Sequence, residues 1–308
     1  MKKLFYLWAA LVTVLTLTNC QKEELIDGEQ GELPADSFVI QLTTPTKTAN
    51  DGLSTIWVAG DKVNVFHAEA GSTDYINDGA FEFASGNAFT GKLGASLESG
   101  KTYDWYISYP YSERVTSPKA MEIHIPREQT QAGNDDKSHL CGSLCPLYGK
   151  AAGISGNNVK ISMKHLVTIM KIKVTNYEAD PCLLETVSFS HHDASNNFTP
   201  LCGNYLVDLT AETQEFVQNE SSFNADISDW KENDAFTTKA QIEDDPSSPY
   251  VELQSPKTLN LNESATVYLA CKPFTIENAT FLRIGMNTPS DGVSTRICKV
   301  VNCKAGVI

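Results

Sequence analysis

Three clusters of polar residues have the composition of a metal site, but their spacing argues against one. His191, His192 and Asp193 are adjacent in the chain. Neighbouring side chains on a strand point to opposite faces, so these three do not chelate one ion easily, and we interpret them as a solvated loop. The acidic runs at 134–136 and 243–245 lack the alternating Asp/Asn spacing of a calcium loop, and we interpret both as surface.

Eight cysteines offer thiol chemistry, and no pair has the C-x-x-C spacing of a zinc ribbon or a redox centre. In an exported protein, Cys141 with Cys145 and Cys298 with Cys303 could close short disulfide loops. The alternative, which we favour, is that most of the cysteines are small buried thiols. The sequence leaves their pairing open.

Motifs of the common enzyme classes are missing from the sequence. It contains no G-x-S-x-G elbow, no phosphate-cradling loop and no H-E-x-x-H helix, and nothing singles out a pair of carboxylates for glycoside hydrolysis. His165 has the parity of core residues, and we interpret it as a buried, hydrogen-bonded histidine. We therefore predict a protein that is not an enzyme, with no catalytic, cofactor-binding or metal-binding residues and no cofactor.

The N-terminus has the features of an export signal. Lys2 and Lys3 precede an apolar run that ends at Leu17, and the run is too short to span a bilayer comfortably. Residues 17–20, Leu-Thr-Asn-Cys, resemble a bacterial lipobox, which implies a signal peptide at 1–19 and lipidation of Cys20. The alternative is a soluble secreted protein that is cleaved nearby.

A polar segment at 20–36 follows the signal, and we interpret it as a tether from the lipid. Its first residues after the cysteine, Gln-Lys-Glu-Glu at 21–24, resemble the signal that sends Bacteroidetes lipoproteins to the cell surface. This resemblance implies a surface-exposed lipoprotein of the outer membrane.

Length and charge limit the choice of partners. The chain has 308 residues, enough for two ordinary domains, and 24 Lys and Arg against 38 Asp and Glu give it a formal net charge of −14. The electric field of this negative charge repels a phosphate backbone and disfavours adsorption to anionic lipid. We predict no nucleic acid partner.

The elements that would position any site are β-strands. Apolar residues alternate with polar ones, as in Tyr103, Trp105, Ile107 and Tyr109, and no helical stripe exceeds about two turns. Within 159–174 the apolar parity changes, which suggests a bulge or a strand buried on both faces. We predict an all-β protein of two antiparallel β-sandwich domains in series, at 37–175 and 176–308.

Six segments, in this order, resemble motifs of the fimbrillin-like family of Bacteroidetes pilus subunits. They are 57–66 with its Trp-x-x-Gly-Asp, 106–111 with Tyr-Ile-Ser-Tyr-Pro-Tyr, 123–131 with Ile-x-Ile-Pro followed by Gln129 and Gln131, 163–172 around His165, 201–205 ending Gly-Asn-Tyr, and 268–273 ending in proline. The match is strong from about residue 37 to residue 174 and looser afterwards.

The resemblance implies two transthyretin-like sandwiches and a place in a surface fimbria. In the family a protease removes the first strand, and a strand of another pilus subunit fills the groove that opens. Here Phe38, Ile40 and Leu42 would form the displaced strand. The family often carries an Arg as the cleavage position, whereas this chain has no Arg before Arg114, and Lys47 is its nearest basic residue.

The role within a pilus stays open between stalk, tip and anchor. An unprocessed subunit would remain on its lipid as an anchor or accessory subunit. Outer-membrane attachment through the lipid and a host or bacterial surface receptor are the further expected partners. The alternative is a free-standing surface lipoprotein that binds a glycan through Trp105, Tyr109 and Tyr111, although their shared parity favours the core.

Overall fold

The computed structural model describes residues 37–44, 56–177, 179–192, 199–218, 248–274, 281–288 and 292–298, with only the backbone for 192, 281–288 and 292–298. The signal peptide at 1–19, the tether at 20–36, Cys20 and Lys47 lie outside these ranges. What we predict for them stays a prediction.

The predicted all-β class is confirmed, because the described residues form strands joined by turns and one short 3-10 turn at Gly142–Leu144. The strands are β1 Phe38–Thr43, β2 Lys62–Glu69, β3 Ile76–Ser85, β4 Ala88–Gly91, β5 Thr102–Tyr109, β6 Met121–Ile125, β7 Glu128–Gln131, β8 Leu147–Ser155, β9 Val159–Ser162, β10 Lys164–His165, β11 Thr168–Thr175, β12 Cys182–His192, β13 Gly203–Val207, β14 Phe216–Gln218, β15 Tyr250–Leu259, β16 Ser264–Cys271, β17 Phe281–Thr288 and β18 Gly292–Cys298. Within the ranges given above, no helix is long and apolar enough to cross a membrane.

An eight-stranded sheet holds most of the first half of the chain, in the order β10-β8-β5-β2-β3-β4-β1-β9. Its apolar face encloses one core cluster, to which every second residue of β5 contributes: Tyr103, Trp105 and Ile107 are buried there. The alternation of the sequence therefore predicted the inward face of this strand correctly.

Three smaller sheets hold the other strands, in the orders β11-β16, β18-β17-β12-β15-β7 and β14-β13-β6. Apolar residues of β11, β12, β15 and β16 form a second core cluster. A third cluster joins β6 and β13 to Phe66 and Tyr148 of the eight-stranded sheet. The pairing is mostly antiparallel, as predicted, but β1 with β9 and β15 with β7 are parallel.

Three strands from the region before residue 176 pair with strands that come after it. β6 pairs with β13, β7 with β15 and β11 with β16. The described residues all belong to one compact unit, Asp36–Ile308. The division into domains at residue 175 stays a prediction. Each of these three pairs joins a strand from before that boundary to a strand from after it.

The parity change within 159–174 has a different cause from the bulge or doubly buried strand that we expected. Ile161 and Met163 face the core of the eight-stranded sheet, whereas Ile172 and Val174 lie on β11, in the two-stranded sheet. The chain leaves one sheet at His165 and enters the next at Thr168. A new sheet presents a new inward face, so the buried parity changes with it.

Candidate strand-exchange site

Strand β1 lies between two neighbours, and we call this position the strand slot. It pairs with β4 on one side in antiparallel fashion and with β9 on the other side in parallel fashion. Two further backbone bonds extend these ladders: the Leu42 N–H donates to the Asn87 carbonyl at 2.8 Å, and the Met163 N–H donates to the Thr43 carbonyl at 2.9 Å. Both backbone edges of β1 are therefore satisfied.

The side chains of β1 fill the core below the slot. Ile40 and Leu42 are 0% exposed and belong to the cluster that includes Phe81 and Phe89. Phe38, half-buried, stacks on Trp105 with ring centroids 5.4 Å apart and an interplanar angle of 12°. Burial of each aliphatic side chain contributes about 1.5–3 kcal/mol, so β1 is a structural part of this core.

Trp57 packs over the end of β1 and is hydrogen-bonded to its backbone. Its indole Nε1–H donates to the Leu42 carbonyl at 3.0 Å, and its ring packs edge-on against Phe89 at 4.9 Å and Tyr109 at 5.2 Å. Trp57 is 6% exposed. The Trp-x-x-Gly-Asp motif of the sequence includes Trp57, but the motif did not show this bond to β1.

A tight turn places Trp57. Gly60 has φ +95°, a left-handed conformation that favours glycine, and the Asp61 N–H donates to the Val58 carbonyl at 3.0 Å. One Asp61 carboxylate oxygen accepts from the Val58 N–H at 2.8 Å, and the other accepts from the Tyr109 hydroxyl at 3.0 Å. Burial raises the pKa of Tyr109, and the hydrogen bond to Asp61 raises it further.

This arrangement gives β1 the properties of an exchangeable strand. Its alternate apolar side chains occupy the core, and its backbone supplies ladders on both edges. Loss of β1 would leave two unpaired edges above an apolar groove, which is the geometry that accepts an extended peptide by β-augmentation. The three predicted residues Phe38, Ile40 and Leu42 thus lie together in one slot.

The aromatic residues of the glycan alternative do not form an exposed surface. Trp105 is 0% exposed in the core, and Tyr109 is half-buried with its hydroxyl bonded to Asp61. Tyr111 is also half-buried. Trp105 in particular offers no face to a ligand.

The remaining sequence-predicted polar groups are structural. His191 lies buried on β12 with its ring 5.0 Å from that of Phe274, so our expectation of a solvated loop was wrong for it: the strand continues to His192. His165 is half-buried, with Nδ1 3.2 Å from the Cys145 sulfur. Among the described residues, no three His, Cys, Asp or Glu side chains are grouped to hold a metal ion.

The described cysteine side chains are thiols. Cys145, Cys202 and Cys271 are buried, Cys141 is exposed, and no disulfide joins Cys141 to Cys145. Cys303 lies outside the described residues, so whether it pairs with Cys298 stays open.

Two glutamines, Gln129 and Gln131, which we call the glutamine pair, seal the edge of β16 that faces away from β11, where no strand of the described residues pairs with it. The Gln129 side-chain amide donates to the Ala270 carbonyl at 2.7 Å and accepts from the Ala270 N–H at 2.8 Å. The Gln131 amide accepts from the Tyr268 N–H at 2.8 Å and donates to the Thr266 carbonyl at 3.1 Å. Each side-chain amide therefore takes the place of a peptide group along β16.

The segment after the glutamine pair completes this seal. The Asn134 amide oxygen accepts from the Thr266 N–H at 2.8 Å, and His139 Nε2 donates to the Tyr268 carbonyl at 3.1 Å. Sequence reasoning missed this role, although two glutamines of the same parity after Ile-His-Ile-Pro were the available signal. An edge closed in this way does not accept a foreign strand, which protects against edge-to-edge association.

Comparison with known proteins gives similarity in structure only. No family model matches the chain, and no curated protein matches it in sequence. A candidate cell adhesion protein from Bacteroides ovatus is similar with a TM-score of 0.50 and 13% identity, over 87% of this chain and 88% of that one. A fimbrial assembly protein from Parabacteroides distasonis has a TM-score of 0.39 and 12% sequence identity, over 87% of this chain and 88% of that one. A fimbrial protein from Bacteroides ovatus has a TM-score of 0.40 and 14% sequence identity, over 88% of this chain and 47% of that one. The first similarity shows a shared fold, and the chain thus has the all-β architecture that its six motifs led us to expect.

Proposed function

We propose that this chain is a structural and adhesive subunit of a cell-surface pilus, and not an enzyme. One observation carries the proposal: β1 is held by ladders on both edges and fills the core with alternate apolar side chains, as an exchangeable strand must. The descriptions of the similar proteins, which concern cell adhesion and fimbriae, support it.

In this proposal the subunit reaches the outer membrane as a lipoprotein on Cys20 and displays its domains, 37–175 and 176–308, at the surface. A protease cuts near Lys47, and the fragment that carries Phe38, Ile40 and Leu42 leaves the slot. A strand of another pilus subunit takes its place. A subunit that is not cut serves as the anchor or accessory subunit, and the assembled pilus adheres to a host or bacterial surface receptor.

The mature N-terminus tests this proposal. Mass spectrometry of the protein from outer-membrane and shed-pilus fractions should find chains that begin after Lys47 in the polymers. The Lys47→Ala variant should accumulate with its N-terminus at Cys20 and should not polymerise. Lys173→Ala, at an exposed position of β11 and outside the strand slot, is the matched control and should behave as the wild type.

Chains that begin at Cys20 and occur only as monomers would reject the stalk role. They would leave the anchor subunit or the free-standing glycan-binding lipoprotein.

A further inference from the structure

A small pocket lies beside β6 and β13, and its lining includes no residue of β1, β4 or β9. Its cavity volume is about 210 Å³. The walls come from the connection between β5 and β6, from β6 itself, from the segment that holds Ser143 and Pro146, and from β13. Four separate pieces of chain thus meet around one concave surface, a common setting for a ligand site.

The polar side chains of the pocket are held in place by one another. Arg114 Nε donates to a Glu122 carboxylate oxygen at 2.8 Å, and both residues line the pocket. This bond uses one of five guanidinium N–H groups, so the terminal amino groups remain as donors. Glu122 retains acceptor capacity, and its side chain is 30% exposed.

A second pair supplies the complementary groups. His124 Nδ1 lies 2.7 Å from the Asn204 amide oxygen, and because that oxygen only accepts, Nδ1 is the donor. With its proton on Nδ1, the imidazole can accept at Nε2, and Asn204 keeps an amide NH₂ with two hydrogens to donate. Both side chains line the pocket, and His124 is exposed.

The other walls add hydroxyls and apolar rings. The Ser112 hydroxyl accepts from the Arg114 backbone N–H at 3.2 Å, and Ser143 also lines the pocket. Pro110 and Pro146 contribute rings without donors. The lining therefore combines hydrogen-bond donors, hydrogen-bond acceptors and apolar surfaces.

This lining selects the chemistry of the ligand. The Glu122 carboxylate and the net charge of −14 disfavour an anion, and the Arg114 guanidinium disfavours a cation. A ring of hydroxyls suits the site because every hydroxyl both donates and accepts. The volume is below the range of about 300–1,000 Å³ that is typical for drug-sized ligands, which favours a single ring.

We propose that this pocket binds one neutral pyranose unit, such as the terminal sugar of a glycan. Arg114 and Asn204 donate to its hydroxyls, and Glu122 and His124 Nε2 accept from them. The inference does not rest on strand exchange, because none of these residues lies on β1 or on its two neighbouring strands. It also differs from binding through Trp105, which is buried.

Saturation-transfer difference NMR on the mature chain tests the proposal. The probes are the methyl glycosides of glucose, galactose, mannose, fucose, N-acetylglucosamine and N-acetylgalactosamine. At least one should bind with a dissociation constant of about 1 mM, the range of a weak single site. Its binding should shift the backbone amide resonances of residues 112–114 and 204–206.

Variants separate this pocket from unspecific binding. Asn204→Ala and Arg114→Ala should each weaken binding about tenfold, as expected when a hydrogen-bonding partner of the sugar is lost. Lys160→Ala should bind as the wild type does. Both pocket positions reach solvent, and an unchanged amide spectrum away from the pocket verifies that each variant is folded.

Two results would overturn the proposal. One is the absence of saturation transfer for every glycoside in the panel. The other is binding that Asn204→Ala and Arg114→Ala leave unchanged, which would place the sugar elsewhere on the protein.

Discussion

Replacement of Gln129 by methionine removes the hydrogen bonds that seal β16 and keeps the length of the side chain. Gln129 is 2% exposed, and its amide bonds both the N–H and the carbonyl of Ala270, which is 0% exposed. In Gln129→Met both backbone groups stay buried without a partner. Each such group costs about 1–3 kcal/mol, and the more apolar methionine offsets part of the sum. We expect the free energy of unfolding to fall by about 2–4 kcal/mol.

Urea unfolding, followed by circular dichroism, measures this loss. The matched control is Thr130→Met, at an exposed position of the same strand, where we expect a change within about 0.5 kcal/mol. Hydrogen exchange should show the Ala270 amide losing protection in Gln129→Met before other amides of β16. A loss below about 1 kcal/mol, with the Ala270 amide still protected, would refute the assignment of this bond as the seal of the edge.

Three further changes examine the slot and its surroundings. Leu42→Ala should lower the free energy of unfolding by about 2–5 kcal/mol in urea titrations because Leu42 is 0% exposed; a loss under about 1 kcal/mol would mean that β1 does not fill the core. Trp57→Phe keeps an aromatic ring but deletes the donor to the Leu42 carbonyl, so we expect a loss of about 0.5–1.5 kcal/mol and faster exchange of the β1 amides, and unchanged exchange would contradict the role of this bond. Burial and Asp61 raise the pKa of Tyr109 above its unfolded value, so its neutral form stabilises the fold below pH of about 10 and this contribution is lost as pH rises further. Tyr109→Phe should therefore reduce the fall in unfolding free energy above about pH 10, and an unaltered alkaline slope would show that Tyr109 does not contribute.

The sequence predicted the features that depend on local pattern. Alternation indicated the buried face of β5 and the apolar side of β1. Both features depend on residues that are close together in the chain, where a period of two is sufficient to decide which face is buried.

The pairing of distant strands could not be predicted. Periodicity shows which face of a strand is buried but not which strand lies beside it. The parallel pairing of β1 with β9 and the antiparallel pairing of β6 with β13 were therefore unforeseen. The same holds for side chains that work through the backbone of a distant strand. Gln129 is 141 positions from Ala270, and His191 is buried although its type favours the surface.

The central claim, that β1 is exchangeable, can be measured directly. A protease site introduced at 46–48 allows the chain to be cut after the C-terminal end of β1. The cut protein is then incubated with an isotopically labelled peptide of residues 37–44. Native mass spectrometry should show one labelled peptide entering for each β1 fragment that leaves. A peptide with Ile40→Asp and Leu42→Asp should not enter, because it would bury two charges in the slot. A cut protein that unfolds, or that keeps its own β1 and admits no labelled peptide, would contradict the claim.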